Sequence, residues 1–93
     1  MGGGDIMEEL LKKAKLVSDR AFEFYEVTLD VISELNEKVD IRLNAELSNG
    51  VIIVDSDLLG TVMRESVKDL YIDMQHQKAD CKEIIIKKLT EGI

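Results

Sequence analysis

Apolar residues recur every three or four positions between Ile6 and Lys38: Met7, Leu10, Leu11, Ala14, Val17, Ala21, Phe24, Tyr25, Val31, Ile32 and Leu35, joined by Thr28. That spacing lines them along one side of a helix of roughly 45 to 50 Å at about 1.5 Å per residue. Glu8, Glu9, Lys12, Lys13, Lys15, Asp19, Arg20, Glu23 and Glu26 are among the charges on its other side. At Val39 the period changes. Val39, Ile41, Leu43, Ala45 and Leu47 alternate with Asp40, Arg42, Asn44 and Glu46, which sorts apolar and polar side chains onto opposite faces of a strand. Ser48-Asn49-Gly50-Val51 follows, and Asn-Gly tolerates the two positive φ angles of a type I′ turn. The β-branched run Val51-Ile52-Ile53-Val54 then returns as the second arm of a hairpin. A competing arrangement extends the first helix to Ser48 and makes an all-α helical hairpin; the alternation and the Asn-Gly pair favour the β-hairpin.

Asp55-Ser56-Asp57 supplies polar side chains able to cap a second helix. Its stripe is Leu59, Val62, Met63, Ser66, Leu70, Met74, Gln77, Cys81, Ile84 and Ile85, ending near Leu89 with Gly92 as its C-cap. Ile84-Ile85-Ile86 alone would suit a short strand, but Lys82-Glu83 and Lys87-Lys88-Leu89 continue the helical pattern. The expected fold class is therefore α+β: a long helix, a two-stranded antiparallel hairpin and a long helix (α-β-β-α). It forms one domain over residues 6–93, preceded by a flexible glycine-rich lead-in at Met1–Asp5.

Size turns this picture toward self-association. A chain of 93 residues buries a modest share of its surface, and a first helix this long outruns a two-stranded sheet, so its stripe needs cover. A homodimer with the sheet extended across it is expected. The positions expected to form the core or the dimer seam are Leu10, Val17, Phe24, Val31, Leu43, Leu59, Val62, Leu70, Met74 and Ile84.

Charge and chemistry narrow the functional classes. Nineteen acidic residues against twelve basic ones give a formal charge of −7, which opposes a general basic coat while leaving room for a local patch. The densest basic cluster of the N-terminal third is Lys12, Lys13 and Lys15, with Arg20 further along. Cys81 is alone, and there is neither a signal peptide nor an eighteen-residue apolar run, so a cytoplasmic protein without membrane contact is expected. Asp73, His76, Gln77, Asp80 and Cys81 are the only local group of candidate ligands. On one continuous helix His76 and Asp80 would share a face, but Cys81 would point some 140° away from His76. With no phosphate loop, nucleophile elbow or zinc pattern, neither an enzyme nor a cofactor is expected.

Three segments carry a resemblance. They are Gly2-Gly3-Gly4 with Met7-Glu8-Glu9-Leu10-Leu11-Lys12-Lys13-Ala14-Lys15; Asn49-Gly50 with Val51-Ile52-Ile53-Val54-Asp55-Ser56-Asp57-Leu58-Leu59; and Lys88-Leu89-Thr90-Glu91-Gly92-Ile93. The arrangement resembles the YbaB/EbfC family of small nucleoid-associated proteins. Ser56 stands where the family has proline, and there is room for about two strands where the family has three. The resemblance implies a homodimer with joined sheets and projecting helical arms that binds duplex DNA non-specifically in the nucleoid. It makes Lys12, Lys13, Lys15 and Arg20 the first candidates for phosphate contact, with Lys82, Lys87 and Lys88 secondary. The other class open to the chain is an acidic protein–protein interaction module, an adaptor, inhibitor or chaperone-like helical dimer, favoured by its carboxylates and long apolar stripes.

Overall fold

The computed structural model describes residues 2–93, with side-chain surroundings from Ile6 onward; of the expected flexible lead-in, Met1 lies outside the described residues and Gly2–Asp5 begin the first helix. Helix α1 (Gly2–Lys38) leads into strands β1 (Leu43–Ser48), β2 (Val51–Ser56) and β3 (Gly60–Ser66), then helices α2 (Val67–Gln77) and α3 (Cys81–Gly92). The α+β class and the central hairpin hold, and the all-α alternative does not. The sheet is an antiparallel meander in the order β1-β2-β3. Asn49 and Gly50 both take positive φ, 51° and 75°, as a type I′ turn requires. The turn sets Leu47 opposite Ile52 and Ala45 opposite Val54, so one face of the hairpin is apolar and packs into the core. On the other face Glu46, Ile53 and Arg64 stand side by side in register.

Two parts of the expected second helix are built differently. Leu59, Val62, Met63 and Ser66 have helical spacing, yet Gly60–Ser66 is a third strand paired with β2. The reason begins at Ser56, which does cap, but caps a turn: its Oγ accepts hydrogen bonds from the Leu58 and Leu59 amides at 3.1 and 3.2 Å. Gly60 then adopts φ 78°, a left-handed conformation that ends any helix and that glycine takes without steric cost. Thr61 Oγ1 donates to Asp55 Oδ1 at 2.8 Å across the turn. A register shift at Val54/Asp55 accompanies the burial of both Val62 and Met63. Leu59, expected in the seam, is left exposed at the turn.

The helix that does form begins at Val67. Ser66 is its N-cap, accepting from the Asp69 amide at 3.1 Å, and the Val67 amide donates to the Gly50 carbonyl at 2.8 Å, which anchors the helix start to the hairpin turn. It does not run on to Leu89. Lys78 turns left-handed (φ 52°, ψ 37°), and Asp80 caps a separate helix by accepting from the Glu83 amide at 2.9 Å. Gly92 is the last helical residue of α3 rather than its cap, a place taken by Ile93. A Cβ at Gly92 would collide with the Val62 carbonyl oxygen, so the absence of a side chain is what lets α3 lie against β3.

One core results. Phe24, Val31 and Ile32 of α1 meet Leu43, Ile52, Val54, Val62 and Met63 of the sheet and Val67, Leu70, Ile84, Ile85 and Leu89 of the last two helices. Thr28 is fully buried among them, its hydroxyl donating to the Phe24 carbonyl at 2.7 Å. Asn36 fixes the entry to β1, because its side-chain amide both donates to and accepts from the Leu43 backbone, at 3.0 and 2.9 Å. Lys88 Nζ bridges Glu65 and Asp73 at 3.2 and 3.0 Å, tying α3 to β3 and α2.

Candidate functional site

Helix α1 obeys a strict seven-residue repeat. Met7, Ala14, Ala21, Thr28 and Leu35 occupy one seam position, and Leu10, Val17, Phe24 and Val31 the other, the pattern of a helix that packs along its length. The domain covers only the second half of that seam. Phe24 and Thr28 are 2% and 0% exposed, whereas every residue from Ile6 to Arg20 is exposed. Ile6, Met7, Leu10, Leu11 and Val17 therefore form an open apolar stripe, with Leu10 and Val17 at 58% and 66%. Leu16 is also exposed but lies off the stripe. The molecule measures 59 × 26 × 18 Å, and its long axis reflects this projecting arm.

Of the ten residues expected in the core or seam, Phe24, Val31, Leu43, Val62, Leu70 and Ile84 are buried and Met74 is half-buried. Leu10 and Val17 stand open on the arm, and Leu59 on its turn. At the base of the arm the stripe runs into a groove of about 450 Å³ between α1 and the start of α2. Val17, Ala21, Val67 and Tyr71 give it an apolar lining, and Arg20 and Lys68 stand at it. Neither the groove nor the point at which cover ends has a local sequence signal, since both depend on where the sheet and last helices stop against α1.

The seven basic candidates fall in separate places. Lys12, Lys13 and Lys15 are exposed on the arm, spread with Arg20 over roughly 160° of the helix at about 100° per residue. Arg20 is committed to the body, its guanidinium 4.0 Å above the centre of the Tyr71 ring. Lys88 is held by its two carboxylates, which raise its ammonium pKa. Lys87 donates to Gln77 Oε1 at 2.7 Å. Lys82 is exposed on α3, where its charge adds to that of Lys38 in holding the Glu34 carboxyl below its usual range; the 3.1 Å hydrogen bond from Lys38 is the main cause.

The break at Lys78 also takes apart the candidate ligand group. His76 is exposed at the end of α2, whereas Asp80 caps α3 and Asp73 is paired with Lys88, so the shared helical face assumed for His76 and Asp80 does not exist. Among the described residues no three His, Cys, Asp or Glu side chains are grouped to hold a metal ion. Burial pushes the half-buried Cys81 thiol up to about 11, with Glu23 and Asp80 adding to the effect, so at neutral pH it is a protonated packing residue. No described helix is long and apolar enough to cross a membrane. No family model, curated protein or solved structure matches the chain, so its functional reading rests on this geometry.

Proposed function

We propose that the chain is a protein–protein interaction module that acts through the open stripe of its helical arm. One observation carries this reading: a seam that is buried at Phe24, Thr28 and Val31 continues in the same heptad register, uncovered, at Met7, Leu10, Ala14 and Val17. A contiguous apolar patch on a projecting element marks a surface for another macromolecule, and a helical stripe suits a second helix. A photo-crosslinking residue at Leu10 is expected to capture a protein in cells, and Val17→Glu in the same chain to suppress the capture. The same residue placed at Lys12, on the back of the arm, is expected to capture little. Equal capture from both faces, or none from Leu10, overturns the reading.

A specific observation favours a second reading, a homodimer that binds duplex DNA. Residues 6–20 carry four basic and three acidic residues, a net +1 in a chain of −7, and a third strand brings the sheet to the number that the YbaB/EbfC resemblance implies. Binding would neutralise phosphates and weaken steeply with salt. Titration of a 30-base-pair duplex at low and near-physiological salt tests it. Loss of binding in the combined Lys12→Gln, Lys13→Gln, Lys15→Gln variant supports it, and no binding at low salt removes it.

A further inference from the structure

Resting on the interaction-module reading, we infer that the occupant of the stripe is the arm of a second copy of this chain, running antiparallel and ending in the groove at the first copy's arm base.

Direction follows first from what already occupies the seam. In a parallel pair, the partner helix would continue past Ala21 along the face covering Phe24, Thr28 and Val31, a volume filled by the sheet and last helices. In an antiparallel pair the two bodies lie at opposite ends and only the arms overlap. Side-chain size agrees with this direction. Antiparallel seams set one heptad position against the other, which pairs Met7 with the partner's Val17 and Leu10 with the partner's Ala14. Leu10 against Ala14 fills space with one large and one small side chain, and Leu11 of each copy falls near the twofold axis.

Charge gives an independent argument. The arm carries +1 over residues 6–20, whereas the body, residues 21–93, has eight basic against fifteen acidic residues, a net −7. A parallel pair would place two such bodies side by side, whereas an antiparallel pair separates them by the length of the overlap, roughly 20 Å and beyond the Debye length at physiological salt. At each end the partner's tip reaches the groove at which Arg20 and Lys68 stand, with Glu8 and Glu9 on its outer side. The groove's apolar lining of Val17, Ala21, Val67 and Tyr71 then receives Ile6 and Met7 of the partner.

The test uses the full chain in a Cys81→Ser background. Sedimentation is expected to show a dimer at tens of micromolar, with Leu10→Glu weakening association at least about tenfold while helical circular dichroism is retained. Direction is read with Met7→Cys and Val17→Cys proteins and a short bis-maleimide. Antiparallel arms crosslink a mixture of the two variants but neither alone, because Met7 and its copy lie about 15 Å apart along the pair. Crosslinking of Met7→Cys alone shows parallel arms and overturns the inference. So does a dimer indifferent to Leu10→Glu, which would place the contact elsewhere, including the sheet edge. A monomer throughout overturns it as well; capture of another protein from Leu10 in cells would then leave the interaction-module reading standing without it.

Discussion

The two halves of α1 follow one heptad pattern and meet opposite fates. From Ala21 onward the seam is pressed against three strands and two helices; from Ile6 to Arg20 the same kind of residue faces water. An amphipathic stripe states that a surface is to be covered and is silent on what covers it. In the body half, cover is intramolecular and so independent of concentration. In the arm half the proposed cover is a second molecule, so the arm's order and the protein's association are expected to rise together.

The sharpest way to break this comparison is one truncation in each half. Phe24→Ala opens a cavity in the core and is expected to cost about 3–5 kcal/mol, a large part of the stability of a domain this small. Leu10→Ala is expected to shift intramolecular stability by no more than about 0.5 kcal/mol while weakening self-association. Urea unfolding at two protein concentrations checks both. A Leu10→Ala loss as large as that of Phe24→Ala, independent of concentration, would mean that the arm folds back on its own body.

A smaller effect sharpens what holds the body half. Asn36→Ala removes the amide that satisfies both the amide and the carbonyl of Leu43, and is expected to cost about 1–3 kcal/mol. Hydrogen exchange at Leu43 should rise with it, while the arm's exchange stays unchanged. No such rise would show that this contact is not what positions β1.

The smallest effect is electrostatic. Glu65 and Asp73 raise the Lys88 pKa above its ordinary 10.5, so the ion cluster's stabilisation is complete below about 10.5 and is lost as pH rises through the folded-state value. The unfolding free energy of the native chain should exceed that of Lys88→Met by about 1 kcal/mol or less near neutrality, and the difference should shrink as pH rises above 10.5. Lys12→Met, on the arm, is expected to show no such difference. A constant offset for Lys88→Met would make its contribution one of packing.

The elements read correctly from the chain are those whose signals are local. Asn49-Gly50 with the alternation through Leu43, Ala45 and Leu47 marks a hairpin because turn geometry and side-chain face are settled within about ten residues, although the first positions of that alternation, Val39 and Ile41, precede β1. The separate start of α3 was equally local, in Asp80 followed three residues later by Glu83, and Ser66 with Asp69 repeats the pattern at α2. A stripe whose three-and-four spacing crosses both breaks hides those signals. The strand at Gly60–Ser66 could not be found that way, since Val62 and Met63 fit a helix and a strand alike until β2 offers its edge.

By itself the sequence determined that residues 6–38 form an amphipathic helix, that the chain reverses at Asn49-Gly50, and that the apolar faces exceed what a small polar surface can leave bare. These follow from backbone dihedrals and from periods of two and 3.6, which neighbouring residues impose on one another. Only the tertiary structure decided that 60–66 would pair and that the α1 seam would lose its cover before Arg20. Those outcomes depend on which distant surfaces reach each other in space, and burial, unlike a turn, has no address in the chain.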